Sequence, residues 1–166
     1  MKYTTCLAFL ILSLHVCGDD TIRRESQGNK ETACRNSYWN LEPLRRDDSD
    51  YESSEFTYLG LKWVVVFNFC RNTVRSCMWT HFSAFLNSRN RGFRCTPTLT
   101  SGDWSKAKFK LLQDNGVKTA KISWSSKIKG GFEMWISCNP ETNYTFKKID
   151  IKSSPWKMYM ESKYVC

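Results

Sequence analysis

Six cysteines, Cys34, Cys70, Cys77, Cys95, Cys138 and Cys166, constrain the fold of this chain more than any other feature. They follow a stretch with the marks of a secretory signal. Lys2 precedes the apolar run Leu7-Ala8-Phe9-Leu10-Ile11-Leu12-Ser13-Leu14, and Val16-Cys17-Gly18 supplies a small-residue exit. Cleavage after Gly18 removes Cys6 and Cys17 and leaves an even number of thiols in an oxidising compartment. That pattern reads as a disulfide framework, in which six cysteines allow about 15 pairings that the sequence alone does not separate. Zinc is the rival reading, but its sites favour close pairs such as C-x₂-C, and the nearest pair here is Cys70 and Cys77. No metal or other cofactor is expected. The signal run is too short to cross about 30 Å of hydrocarbon, and no second stretch approaches the roughly 20 apolar residues of a membrane helix. A secreted or secretory-lumen protein without a transmembrane segment is the expectation.

Residues 1–18 are therefore read as signal peptide, 19–33 as a polar, flexible leader, and 34–166 as one domain. The formal net charge of +9 favours acidic partners, namely sulfated or phosphorylated glycans, anionic surfaces or an acidic protein face. An exported chain without a nucleic-acid motif is not expected to bind nucleic acid. The oligomeric state is left open.

The segment Leu61-Lys62-Trp63-Val64-Val65-Val66-Phe67-Asn68-Phe69 is dense in β-branched and aromatic residues and predicts a buried strand ending at Cys70. Before it, the polar island from Arg45 to Glu55 reads as a solvated loop. Phe82, Phe85 and Leu86 fall at helical spacing, so Met78 to Asn87 is read as a short helix. Arg89-Asn90-Arg91-Gly92, Thr96-Pro97 and Ser101-Gly102-Asp103 read as turns. In the last third the period is two: Ala120, Ile122 and Trp124 alternate with Lys121, Ser123 and Ser125. Phe132, Met134, Ile136 and Cys138 repeat that pattern after Gly130-Gly131, and Trp156, Met158 and Met160 do so again. The expected fold is all-β, a flattened barrel or sandwich of two antiparallel sheets.

Catalytic inventory is thin. His81 is the one histidine after the signal, and there is no G-x-S-x-G, H-E-x-x-H or phosphate-cradling glycine loop. A non-enzymatic protein is expected, with His81 structural or at the surface. Asn143-Tyr144-Thr145 fits the N-glycosylation pattern. Lysines at 106, 108, 110, 118, 121, 147 and 148 read mostly as the wet face of a sheet. Lys127 and Lys129, beside Gly130-Gly131, are better candidates for binding because loops carry function on a rigid frame.

Tyr38-Trp39-Asn40-Leu41-Glu42-Pro43-Leu44, Phe67-Asn68-Phe69-Cys70-Arg71, Asn115-Gly116-Val117, Ile136-Ser137-Cys138-Asn139 and the closing Tyr164-Val165-Cys166 occur in order from Cys34 to Cys166. In that order they resemble the mannose 6-phosphate receptor homology domain. The resemblance implies the pairing Cys34 with Cys70, Cys77 with Cys95, and Cys138 with Cys166, three staples in all. A further bridge usual in that family has neither partner here, since residues 127–131 and 153–156 contain no cysteine. Mannose binders of the family use a Gln, an Arg, a Glu and a Tyr. Their places fall at Thr96, Gly131, the stretch Lys147-Lys148-Ile149-Asp150 and near Trp156, so ordinary mannose recognition is expected to be absent.

The resulting expectation is an exported binding protein on this β scaffold, recognising a protein partner or an acidic glycan. One alternative is a lectin for phosphorylated or mannose-rich glycans, with Arg94, Lys127 or Lys129 in place of the usual arginine and Thr96 beside them. Another is an effector or toxin-like protein acting on a receptor. The terminus carries no retention tetrapeptide, so release is expected.

Overall fold

Strand alternation in the last third places Ala120, Ile122, Trp124, Phe132, Met134, Ile136, Trp156, Met158 and Met160 on one buried surface. A computed structural model describes residues 31–89, 94–96, 102–125 and 131–166, with backbone alone at Arg94 and Thr96. The signal peptide, the leader up to residue 30, residues 90–93 and 97–101, and Lys127 and Lys129 lie outside the described residues. Ala33, the last residue assigned to the leader, is already buried in the core.

Among the described residues ten strands form two five-stranded sheets. The first contains β1 (Tyr51–Glu52), β2 (Phe56–Tyr58), β3 (Leu61–Phe67), β4 (Ala84–Ser88) and β5 (Arg94–Thr96), with β1 and β2 both pairing with β3. The second runs β6-β7-β8-β10-β9, from β6 (Lys108–Asp114), β7 (Val117–Trp124), β8 (Phe132–Cys138), β9 (Thr145–Asp150) and β10 (Trp156–Ser162). The two sheets do not close into a barrel and are sandwich-like. Their inner faces share one core, in which Val65, Phe67 and Leu86 of the first sheet join the surface of the second. Aromatic contacts stitch the layers. Tyr58 meets Trp156 edge-on at 5.3 Å, and Tyr144 reaches Tyr51, Phe67 and Phe69. Burial pushes the Tyr144 phenol well above its ordinary range.

The three disulfides join Cys34 to Cys70, Cys77 to Cys95, and Cys138 to Cys166. The pairing implied by the resemblance is thus the pairing present. The second sheet is not wholly antiparallel: β10 inserts between β8 and β9 and runs parallel to β8, with Trp156 beside Phe132 and Ser162 beside Cys138. The chain after β8 goes first to the sheet edge as β9 and then folds back into the gap. Alternation reports which face a residue occupies, not the direction of its neighbour, so this feature was invisible in the pattern.

Two other expectations are corrected. Residues 84–88 are a strand, not part of a helix, and all five are buried. Ala84 and Leu86 face the main core, while Phe85 packs with Val64, Val66 and Cys77 in a smaller core behind the sheet. A strand buried on both faces loses its alternation, and a short apolar run then imitates helical spacing. The acidic island is also only partly a solvated loop. It supplies β1, and the Asp50 side chain is 0% exposed. Asp50 accepts from the backbone N–H groups of Val74 and Arg75 at 2.8 and 2.9 Å and from the Asn68 amide, with the Arg75 guanidinium at 3.5 Å. It locks the segment before β1 to the loop between Cys70 and Cys77.

Removing a buried carboxylate strands its donors and its cation, which costs about 3 kcal/mol. Asp50→Ala should lower stability by that amount in urea denaturation. Asp48→Ala, at an exposed neighbour, should stay within about 0.5 kcal/mol of the parent. Equal effects of the two would refute the assigned role of Asp50.

Candidate functional site

In the second sheet every inward core residue has an outward neighbour, and the outward set is unusual. Cross-strand register lines up Lys110 of β6, Lys121 of β7, Trp135 of β8, Tyr159 of β10 and Lys148 of β9 as one row across the five strands. Trp135 and Tyr159 are half-buried, with ring centroids 6.0 Å apart. The Lys121 and Lys157 ammonium groups sit 5.1 and 5.7 Å from the Trp135 centroid, and that of Lys148 sits 4.9 Å from the Tyr159 centroid. Ring quadrupoles attract cations at such distances, and they hold the lysine heads close to the sheet instead of leaving them loose in solvent.

The carboxylates nearest the central row are already engaged. Buried Glu133 accepts from the Trp135 indole N–H at 2.8 Å and pairs with Lys121 at 2.7 Å. Glu161 accepts from the Asn139 amide at 2.8 Å and pairs with Lys147 at 3.1 Å, and these two contacts hold its carboxyl below the ordinary value. Asp150 is lowered chiefly by the Lys152 N–H, with Ser153 adding to it, because the carboxylate closes the turn after β9. Positive charge therefore dominates what the face offers a ligand.

The lysines at 108, 110 and 121 thus occupy the wet face of a sheet, as their alternation predicted; adjacent Lys147 and Lys148 both reach it through a register shift between β9 and β10, while Lys106 lies in the short helix Trp104–Lys106 and Lys118 donates to the Cys166 carbonyl. Sequence reasoning did not single out Trp135 and Tyr159, although their outward place in alternating strands was a usable signal. The candidates it favoured are dispersed. Arg94 and Thr96 lie on β5 at an edge of the first sheet, paired with Ser88 and Leu86, and their side chains are outside the described residues, as are Lys127 and Lys129. Asn143 is exposed just before β9, open to a glycan, and its carbonyl accepts from the Ser162 hydroxyl. His81 is exposed, with Nδ1 2.9 Å from the Thr73 carbonyl oxygen.

Gly131 and Trp156, at the places where the resemblance expects Arg and Tyr, are neighbours: the Trp156 N–H donates to the Gly131 carbonyl at 3.2 Å. Gly131 has a φ of +94°, and a Cβ built there would overlap the Trp124 carbonyl oxygen. Trp156 is buried in the core. A cavity of about 340 Å³ beside the Cys34–Cys70 bridge is lined in part by Glu42, Arg71 and Asp103. The cluster of Cys34, Glu42 and Cys70 there offers no thiolate to a metal, because both sulfurs are in the disulfide.

Another exposed feature is a two-residue turn, Met78-Trp79, with both φ angles positive at 51° and 66°, between the bridged pair Cys77 and Thr80. Such turns favour Asn-Gly, and left-handed backbone costs an ordinary residue about 1 to 2 kcal/mol. The Trp79 side chain recovers none of this, being 98% exposed.

No protein-family model matches the chain, and no curated protein matches it.

Two predictions follow from this geometry. Met78→Asn combined with Trp79→Gly should raise stability by about 1 to 2 kcal/mol in chemical denaturation, and an unchanged or lower midpoint would remove the strain argument. Because the folded state depresses Glu161 and Asp150, their contribution is complete above the ordinary carboxylate values, 4.5 and 3.8, and is lost as pH falls through the lower folded values. Thermal midpoints should therefore decline below about pH 4.5, and Glu161→Gln should flatten that decline. A steeper acid loss in the variant would reverse the assigned sign.

Proposed function

We propose that this chain is an exported, non-enzymatic binding protein on a scaffold of the mannose 6-phosphate receptor homology type, and that it engages an acidic glycan through the outer face of its second sheet. The observation that carries the reading is the set of lysine heads held over Trp135 and Tyr159. Like charges on neighbouring strands repel one another, and aromatic quadrupoles offset only part of that cost. An anionic ligand relieves the remainder. Three disulfides fit an extracellular or secretory-pathway protein, and among the described residues no helix is long and apolar enough to cross a membrane.

A protein partner is the second reading, and the Met78-Trp79 turn is the observation that favours it. An exposed indole on a disulfide-pinned turn suits the anchor role that tryptophan takes at interfaces.

Retention on immobilised heparin tests the first reading. Lys110, Lys148 and Lys157 replaced together by Gln should shift elution to lower salt and weaken affinity about tenfold, from roughly 0.5 kcal/mol per exposed charge. Lys121 is kept, because it neutralises buried Glu133. Elution at the parental salt concentration would refute the site. Specific release by mannose 6-phosphate would instead favour the lectin alternative.

A further inference from the structure

We infer that the ligand of this face is a linear sulfated glycan, lying across the strands along the row from Lys110 to Lys148 and continuing past both edges of the sheet. The inference rests on the acidic-glycan reading and adds the ligand's direction, length and chemistry.

Direction comes from where the carboxylates stand. The rows on either side of the central one contain them: Glu133 and Asp150 flank Lys157 in one, and Glu161 belongs to the other. A polyanion running along β8 or β10 meets a carboxylate within two residues. The row Lys110, Lys121, Trp135, Tyr159, Lys148 contains none, and the Glu133 carboxylate that reaches Trp135 and Lys121 from the next row is buried and already paired. Of the paths through both rings, the one perpendicular to the strands meets the least repulsion.

Length follows from strand spacing. Strands lie about 4.8 Å apart, so four steps separate Lys110 from Lys148 by roughly 19 Å. Cations stand at both ends and the two aromatic rings at the centre, which matches a chain carrying anionic groups on either side of a sugar ring. Among the described residues no strand pairs beyond β6 or β9, the edge strands of the sheet, so none closes either end. A site built for a terminal sugar would be closed on one side.

Chemistry follows from the choice of cation. Every arginine of the chain lies at or before residue 94, and residues 102–166 carry positive charge on lysine alone. Arg45, Arg71, Arg75 and Arg89 are each spent on a carboxylate of the chain, within or beside the first sheet. A guanidinium fork matches carboxylate and phosphate oxygens alike, whereas an ammonium acts as a point charge with freely directed donors. An all-lysine row therefore selects by charge density, which a sulfated glycan carries in excess of an unsulfated uronate polymer.

The test is titration of the intact protein with heparin-derived oligosaccharides from di- to decasaccharide, beside hyaluronan oligomers, which carry carboxylates without sulfate, and inorganic polyphosphate. Affinity should climb steeply with heparin length, then level once the row is spanned, and hyaluronan of equal length should bind at least tenfold more weakly. Lys110→Gln and Lys148→Gln, at opposite ends, should each weaken the decasaccharide about twofold and leave the disaccharide unaffected. Trp135→Leu should weaken heparin more than polyphosphate. A disaccharide that binds as tightly as the decasaccharide would overturn the extended path while leaving the basic face in place. Equal loss of heparin and polyphosphate on Trp135→Leu, or equal binding of hyaluronan, would overturn the chemistry. Insensitivity of every ligand to the lysine changes would refute the underlying glycan reading as well.

Discussion

Period-two geometry in the second sheet couples the core to the surface, and most of what is distinctive about this protein depends on that coupling. Met134 and Met158 are fully buried, and Trp135 and Tyr159, the next residues along the same strands, are turned outward beside one another. A slip of one residue in either strand would move methionines to water and aromatic-bound lysines into the core. The apolar energy of the inner face, roughly 25 cal/mol per Å² buried, therefore also specifies which cations lie together outside. No separate interaction is needed to assemble the lysine row.

The two sheets use their positive charge differently. Near the first sheet the arginines are internal fasteners, and the chain Arg89, Glu52, Arg75, Asp50 joins β1 to the Cys70–Cys77 loop. On the second sheet only Lys121 and Lys147 pair with carboxylates among the described lysines of the strands, while Lys110, Lys148 and Lys157 make no ion pair within 4 Å with any described carboxylate. A net charge of +9 is thus not spread evenly. One layer neutralises itself, and the other presents an excess to solvent.

The smaller core behind the first sheet shows how a staple can support an exposed feature. Cys77 is buried against Val64, Val66 and Phe85, and its bridge to Cys95 fixes the base of the turn that carries Met78 and Trp79. A turn this short, with two left-handed ordinary residues, persists because its ends are held from below by packing and a covalent link. Tryptophan is there at a cost to stability and without any packing benefit, which sets it apart from the other tryptophans described, all of which are at least partly buried.

Much of the fold was legible in the residues themselves. Alternation at Ala120 to Trp124, Phe132 to Cys138 and Trp156 to Met160 identified the strands and their buried faces, because a pleated backbone turns successive side chains to opposite sides whatever surrounds it. An even set of six cysteines behind a signal-like segment identified a crosslinked frame for a similar local reason. Tertiary structure alone decided the rest. That β10 lies parallel to β8, that residues 84–88 form a strand buried on both faces, that Asp50 is buried, and that Lys110, Lys121, Trp135, Tyr159 and Lys148 share one row all depend on which strands pair and in what register. Those are contacts between residues distant in the chain, and periodicity within a segment carries no information about its neighbours.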